Sequence, residues 1–81
     1  MKTGSLVISC AGRDKAYLLA VIGERDGYVL VADGKERPIE KPKRKNKKHL
    51  VETGICLSEE IFVTNKHLRR ALRECEIKED F

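Results

Sequence analysis

The chain has 81 residues, with 17 Lys+Arg against 13 Asp+Glu, a formal charge of +4 and a pI near 9.1. A chain this short buries only roughly 60% of the surface its unfolded form exposes, so it makes one domain with a thin core and little room for a catalytic cleft. The charge excess points to a polyanionic partner without choosing one, and the longest apolar run, Ala16 to Ile22, is far below the roughly 18 apolar residues of a membrane span.

Neither a signal peptide nor a transmembrane helix is expected. Cys10, Cys56 and Cys75 are odd in number and widely spaced, so neither a disulfide framework nor a CxxC metal knuckle is read from them. The expected setting is a reducing cytoplasm, with no metal or other cofactor.

In chain order, Leu6 to Cys10 alternates, with Leu6, Ile8 and Cys10 on one face and Val7 and Ser9 on the other, which predicts a half-buried first strand. Ala16 to Ile22 and Tyr28 to Ala32 are rich in β-branched and aromatic side chains. Asp26-Gly27 between them signals a tight turn, so the two segments predict a hairpin. Asp33-Gly34 is a second turn signal, and Pro38 and Pro42 leave room only for a short edge strand around Ile39. His49 to Thr53 and Ile55 to Leu57 have strand spacing, interrupted at Gly54 by a bulge or bend. Five short strands with tight turns predict a small, strongly bent barrel spanning about residues 4–57.

From Lys66 the period changes. Leu68, Ala71, Leu72 and Cys75 recur at i, i+3, i+4 and i+7, predicting an amphipathic helix over about residues 65–77 with Thr64 or Asn65 as its N-cap. Lys66, Arg69, Arg70 and Arg73 fall on the opposite side. They read as a solvated face, with a second RNA or partner surface as the alternative.

The segment Lys41 to Lys48, KPKRKNKK, holds six Lys or Arg in eight residues and no acid. Like charges this dense repel, so folding alone gives no reason to collect them, whereas neutralising phosphates does. An isolated run of this kind also reads as a solvated loop or a localisation-type signal. Here it sits inside the domain, between Ile39 and the strand beginning at His49, and is expected to be a strand-bounded loop. Its cations Lys41, Lys43, Arg44, Lys45, Lys47 and Lys48 would contact phosphates, and Asn46 and His49 would reach ribose hydroxyls or base edges. Asn46 is equally an ordinary turn residue and His49 a partly packed strand residue.

Gly12-Arg13-Asp14-Lys15 makes the turn between the first two strands. Leu6 to Gly34, LVISCAGRDKAYLLAVIGERDGYVLVADG, resembles the KOW motif: a hydrophobic strand, a Gly-containing turn, a second strand, a charged turn and a third strand. With KPKRKNKKHL downstream, including Asn46, His49 and Leu50, the resemblance extends to the fourteen-e family of large-subunit ribosomal proteins and the small bacterial KOW proteins similar to them. It covers about Gly4 to Leu50. It implies a mainly β fold, an SH3-like barrel with one C-terminal helix, that contacts ribosomal or other structured RNA through Gly12, Arg13, Lys15 and the segment Lys41 to His49. The KOW pattern usually has glycine after the basic residue of the turn, where this chain has Ala16; a positive φ there would strain alanine.

Catalysis is not expected, because Cys10, Cys56, His49 and His67 show no motif joining a nucleophile to a base. Cys10 and Cys75 read as core residues. The expected activity is non-catalytic RNA binding, with ribosomal RNA or the large ribosomal subunit as partner and neither a membrane nor a small-molecule substrate. The alternative is an SH3-like protein-interaction module for an acidic protein partner.

Overall fold

A computed structural model describes residues 1–12, 15–58 and 64–79. Its strands are β1 (Ser5–Ser9), β2 (Leu18–Arg25), β3 (Tyr28–Ala32), β4 (Lys43–Lys45) and β5 (Leu50–Cys56), followed by helix α1 (Asn65–Glu79). All strand pairs are antiparallel, in the order β4-β3-β2-β1-β5. The outermost strands β4 and β5 are joined only by residues 46–49, three of which form a 3-10 turn (Lys47–His49). A chain advances at most about 3.5 Å per residue, so so short a link joins opposite sheet edges only if the sheet curls onto itself. The fold is a small SH3-like barrel with one C-terminal helix, as the sequence predicts.

Strand alternation divides the core in two. Val7, Leu19, Val21, Val29, Val31 and Leu50 fill the barrel, with Met1 packed at its margin. Leu6, Leu18, Ala20 and Ala32 lie on the other face under Leu68 and Leu72 of α1, with Ile8, Ile22, Ile39, Leu57 and Cys75 around them. Ala20 and Ala32 are direct cross-strand partners, and two small side chains there let the helix sit close to the sheet. The first strand therefore departs from the half-buried expectation: neighbouring Leu6 and Val7 are both fully buried, because α1 covers the face that a bare barrel would leave wet. Cys10 is exposed and not a core residue, lying just past the end of β1.

The turns follow their sequence signals. Asp26 (φ 51) and Gly27 (φ 82) give the positive angles of a type I′ hairpin turn between β2 and β3. At Gly54 (φ 87) the pairing of β5 with β1 shifts register between Ser5 and Val7. The Thr53 hydroxyl bridges this bulge, donating to the Leu6 carbonyl at 2.9 Å and accepting from the Ile55 N–H at 3.2 Å. Gly34 touches the helix: a Cβ there would run into the Asn65 carbonyl and lie 3.1 Å from the Arg69 nitrogen.

Of the two candidate caps, Thr64 is the N-cap, accepting the His67 N–H on its hydroxyl at 3.2 Å. Asn65 instead ties the helix to the β3–β4 connection. Its Oδ1 accepts the Ile39 N–H at 2.7 Å, and its Nδ2 donates to both Glu40 carboxylate oxygens at 2.8 and 3.0 Å.

The predicted edge strand around Ile39 is not formed. Ile39 lies in a turn between the two prolines and packs against the helix-side core, while the strand paired with β3 is Lys43–Lys45, within the basic segment itself. Pro38 and Pro42 have no N–H to offer a ladder, and the Ile39 N–H is taken by Asn65, so pairing begins only after Pro42.

Candidate nucleic-acid interface

The turn after β1 is closed by a backbone bracket. The Ala16 N–H donates to the Ser9 carbonyl at 2.7 Å, the Ser9 N–H to the Tyr17 carbonyl at 3.1 Å, and the Lys15 N–H to the Gly12 carbonyl at 3.3 Å. Ala16 has φ 73, so this position is left-handed, and alanine occupies it at a cost of about 1–2 kcal/mol. The same kink delays β2 to Leu18, two residues after the predicted start. Gly12 and Lys15 are exposed. Arg13 lies outside the described residues.

The basic segment is not a plain loop: Lys43–Lys45 form β4, Lys47 and Lys48 enter the 3-10 turn and β5 begins only at Leu50, so β periodicity sorts the cations of β4 by side. Lys45 and Lys43 pair with the barrel-filling Val29 and Val31, while Arg44 pairs with Leu30. Arg44 is exposed, with its guanidinium carbon 5.4 Å from the centre of the half-exposed Tyr28 ring, a cation–π contact. Lys45 departs from the expected surface role. It is 7% exposed, and its ammonium donates to the Ser9 hydroxyl at 2.9 Å and the Ala11 carbonyl at 2.7 Å. A buried ammonium needs such acceptors, because an unpaired one would cost several kcal/mol.

Lys41, Arg44, Lys47 and Lys48 remain exposed, with Lys43 half-buried. Lys47 lies 3.5 Å from the Glu24 carboxylate, which also accepts from the N-terminal ammonium at 2.8 Å. The ammonium hydrogen bond, its charge and then the charge of Lys47 hold the Glu24 carboxyl below its ordinary range. Asn46 caps the 3-10 turn, its Oδ1 accepting the Lys48 N–H at 3.2 Å and its carbonyl the His49 N–H at 2.9 Å. Asn46 thus fills the turn role through its oxygen, while the residue stays exposed.

Two bonds join the segments. The Lys45 ammonium reaches Ala11 beside Gly12, and the Cys10 N–H donates to the His49 carbonyl at 2.7 Å. The Gly12 turn and the basic segment are therefore neighbours along one rim of the barrel, although they lie more than thirty residues apart in sequence.

A second basic feature is a groove that the sequence does not predict. The cationic side of α1 faces the start of β2 and the turn after β3 across an open groove of about 690 Å³. Arg69, Arg70 and Arg73 line it together with Tyr17 and Lys35. The helical spacing of the arginines is visible in the sequence; their juxtaposition with Tyr17, about fifty residues earlier, is a product of the fold.

Among the described residues, no group of three or more His, Cys, Asp or Glu side chains could hold a metal ion, and no helix is long and apolar enough to cross a membrane. No family model and no curated protein matches the sequence.

Proposed function

We propose that the protein is a non-catalytic RNA-binding module of the KOW type, acting in the cytoplasm on structured ribosomal RNA of the large subunit. The observation that carries this reading is the bond from Lys45 to Ala11, which holds the Gly12 turn against the basic segment. Phosphates of a folded RNA would lie along Lys15, Lys41, Arg44, Lys47 and Lys48, with His49 and the amide of Asn46 available to ribose or base edges. Lys45 is assigned to holding the rim together.

An SH3-like barrel supports this use physically, since the basic run lies on β4 and on the short link of residues 46–49 that joins β4 to β5. Fixed cations distinguish one phosphate arrangement from another, which a solvated tail does not. The test is a titration of the protein against a structured ribosomal RNA fragment and against an unstructured polyphosphate of equal charge, across a range of salt. Preference for the folded RNA that persists as salt rises supports the reading. Equal affinity for both reduces the rim to generic electrostatics, and binding to an acidic protein but not to RNA would establish an interaction module instead.

A further inference from the structure

The cations on the outer side of α1 repel one another, and Glu74, four residues after Arg70, is the one acid at a compensating spacing among the residues whose side chains are described. Lys66 and Arg70, and Arg69 and Arg73, are i, i+4 pairs of like charge, and Lys66–Arg69 and Arg70–Arg73 are i, i+3 pairs; each such pair opposes helix formation. The first helical turn contains no acid, so Lys66 also stands where the helix dipole favours the opposite sign. No acidic side chain among the described residues forms an ion pair with Arg69, Arg70 or Arg73. Asp33, the acid lining the groove, is committed to its own turn, with Oδ1 accepting the Lys35 and Arg37 N–H groups at 2.8 and 2.9 Å.

Across from these cations stands Tyr17, 46% exposed. It directly follows Ala16, and its carbonyl accepts from Ser9 in the bracket that closes the Gly12 turn, so the groove begins where the proposed RNA rim ends. Leu18 and Leu72, at its floor, are each 5% exposed and offer little apolar surface to a peptide side chain. A ring beside several arginines matches instead the alternation of base and phosphate in a nucleic-acid strand, the base stacking on the ring and the phosphates taking the guanidinium forks.

We propose that this groove binds an unpaired nucleotide of the RNA, with its base on Tyr17 and the flanking phosphates on Arg69, Arg70 and Arg73. The inference rests on the RNA-binding reading above and adds to it a second contact area that takes single-stranded rather than folded RNA.

The test is a nuclear magnetic resonance titration of the full chain with tetra-adenylate, whose purine rings shift stacked protons upfield, and in parallel with tetra-glutamate. Saturable upfield shifts of the Tyr17 ring protons with tetra-adenylate are expected. Arg69→Gln/Arg73→Gln should weaken that binding about tenfold at low salt, and Tyr17→Leu should weaken it about as much. The remaining resonances report whether each variant stays folded. Absence of Tyr17 shifts, insensitivity to the arginine substitutions, or equal binding of tetra-glutamate would each overturn the groove assignment. Affinity for the structured ribosomal fragment is measured on the same samples: its retention without Tyr17 shifts overturns the groove and leaves the rim intact, whereas loss of both ligands overturns both readings.

Discussion

The ammonium of Lys45 donates to the hydroxyl of Ser9 at 2.9 Å, reaching from the middle of the most basic segment of the chain into the buried end of β1. The same nitrogen holds the Ala11 carbonyl. One lysine of the run therefore has a structural task, and the task is to fix the other cations relative to the Gly12 turn. Strand periodicity brings this about, sending Lys45 inward with Val29 and leaving Arg44 on the outer side with Tyr28.

Removing that ammonium should destabilise the fold far more than removing its neighbour. Lys45→Met is expected to lower the unfolding free energy by about 1.5–3 kcal/mol, the worth of hydrogen bonds from a charged donor, with the Ser9 hydroxyl still donating to the Ala11 carbonyl at 2.9 Å. Arg44→Met forfeits an exposed cation–π contact worth about 0.5–1 kcal/mol. Urea unfolding of both variants checks this; equal losses would show that Lys45 is not the tie.

Ala16 is held at φ 73 by its bond to Ser9 and the returning strand. Ala16→Gly should relieve the strain and raise stability by about 1 kcal/mol, net of the entropy that glycine adds to the unfolded chain. Thermal unfolding gives the sign directly. A loss on substitution would mean that alanine sits there without strain.

Gly34 supports the helix in the opposite sense, since it has φ 78 and a Cβ would meet the Asn65 carbonyl. Gly34→Ala is expected to cost about 2–3 kcal/mol through the combined backbone and steric penalty. Loss of helical circular dichroism at lower urea than in the wild type would report α1 lifting from Ala20 and Ala32.

Much of this fold is legible in the sequence because local rules coincide with tertiary need. Asp26-Gly27 makes its hairpin, Gly54 its bulge, and Leu68, Ala71, Leu72 and Cys75 the packed stripe of α1. What local rules miss is decided by contacts distant in the chain. The helix that buries the second face of β1 lies some sixty residues away, so alternation alone predicts a wet face. The Ile39 region resembles an edge strand until Asn65 takes its N–H. In the candidate site, the clustering of cations is visible, but the inward turn of Lys45 depends on strand pairing that begins only after Pro42. Tyr17 has no local signature at all, being defined as a groove residue by a helix from the other end of the chain.

The Asn65 link should be visible in acid. Its Nδ2 donates to both oxygens of Glu40, and this hydrogen bond, followed by a backbone N–H, holds the carboxyl below its ordinary range. A carboxyl whose folded pKa is depressed contributes stability above its unfolded pKa, and that contribution is lost as pH falls through the folded value. The Glu40 titration midpoint, followed by nuclear magnetic resonance, is expected to rise toward the ordinary value in Asn65→Ala. An unchanged midpoint would remove Asn65 as its cause.

The central claim, that the exposed cations of the rim grip RNA phosphates, is tested most directly by the salt dependence of binding to a structured ribosomal RNA fragment. Wild type is compared with Lys41→Glu/Arg44→Glu/Lys48→Glu, which leaves buried Lys45 in place. If about five phosphates are neutralised, log affinity of the wild type should fall against log salt with a slope of roughly −3.5 to −4.5, and the variant should bind more weakly with a slope shallower by roughly 2 to 3. A folded variant with unchanged affinity and slope would contradict the account.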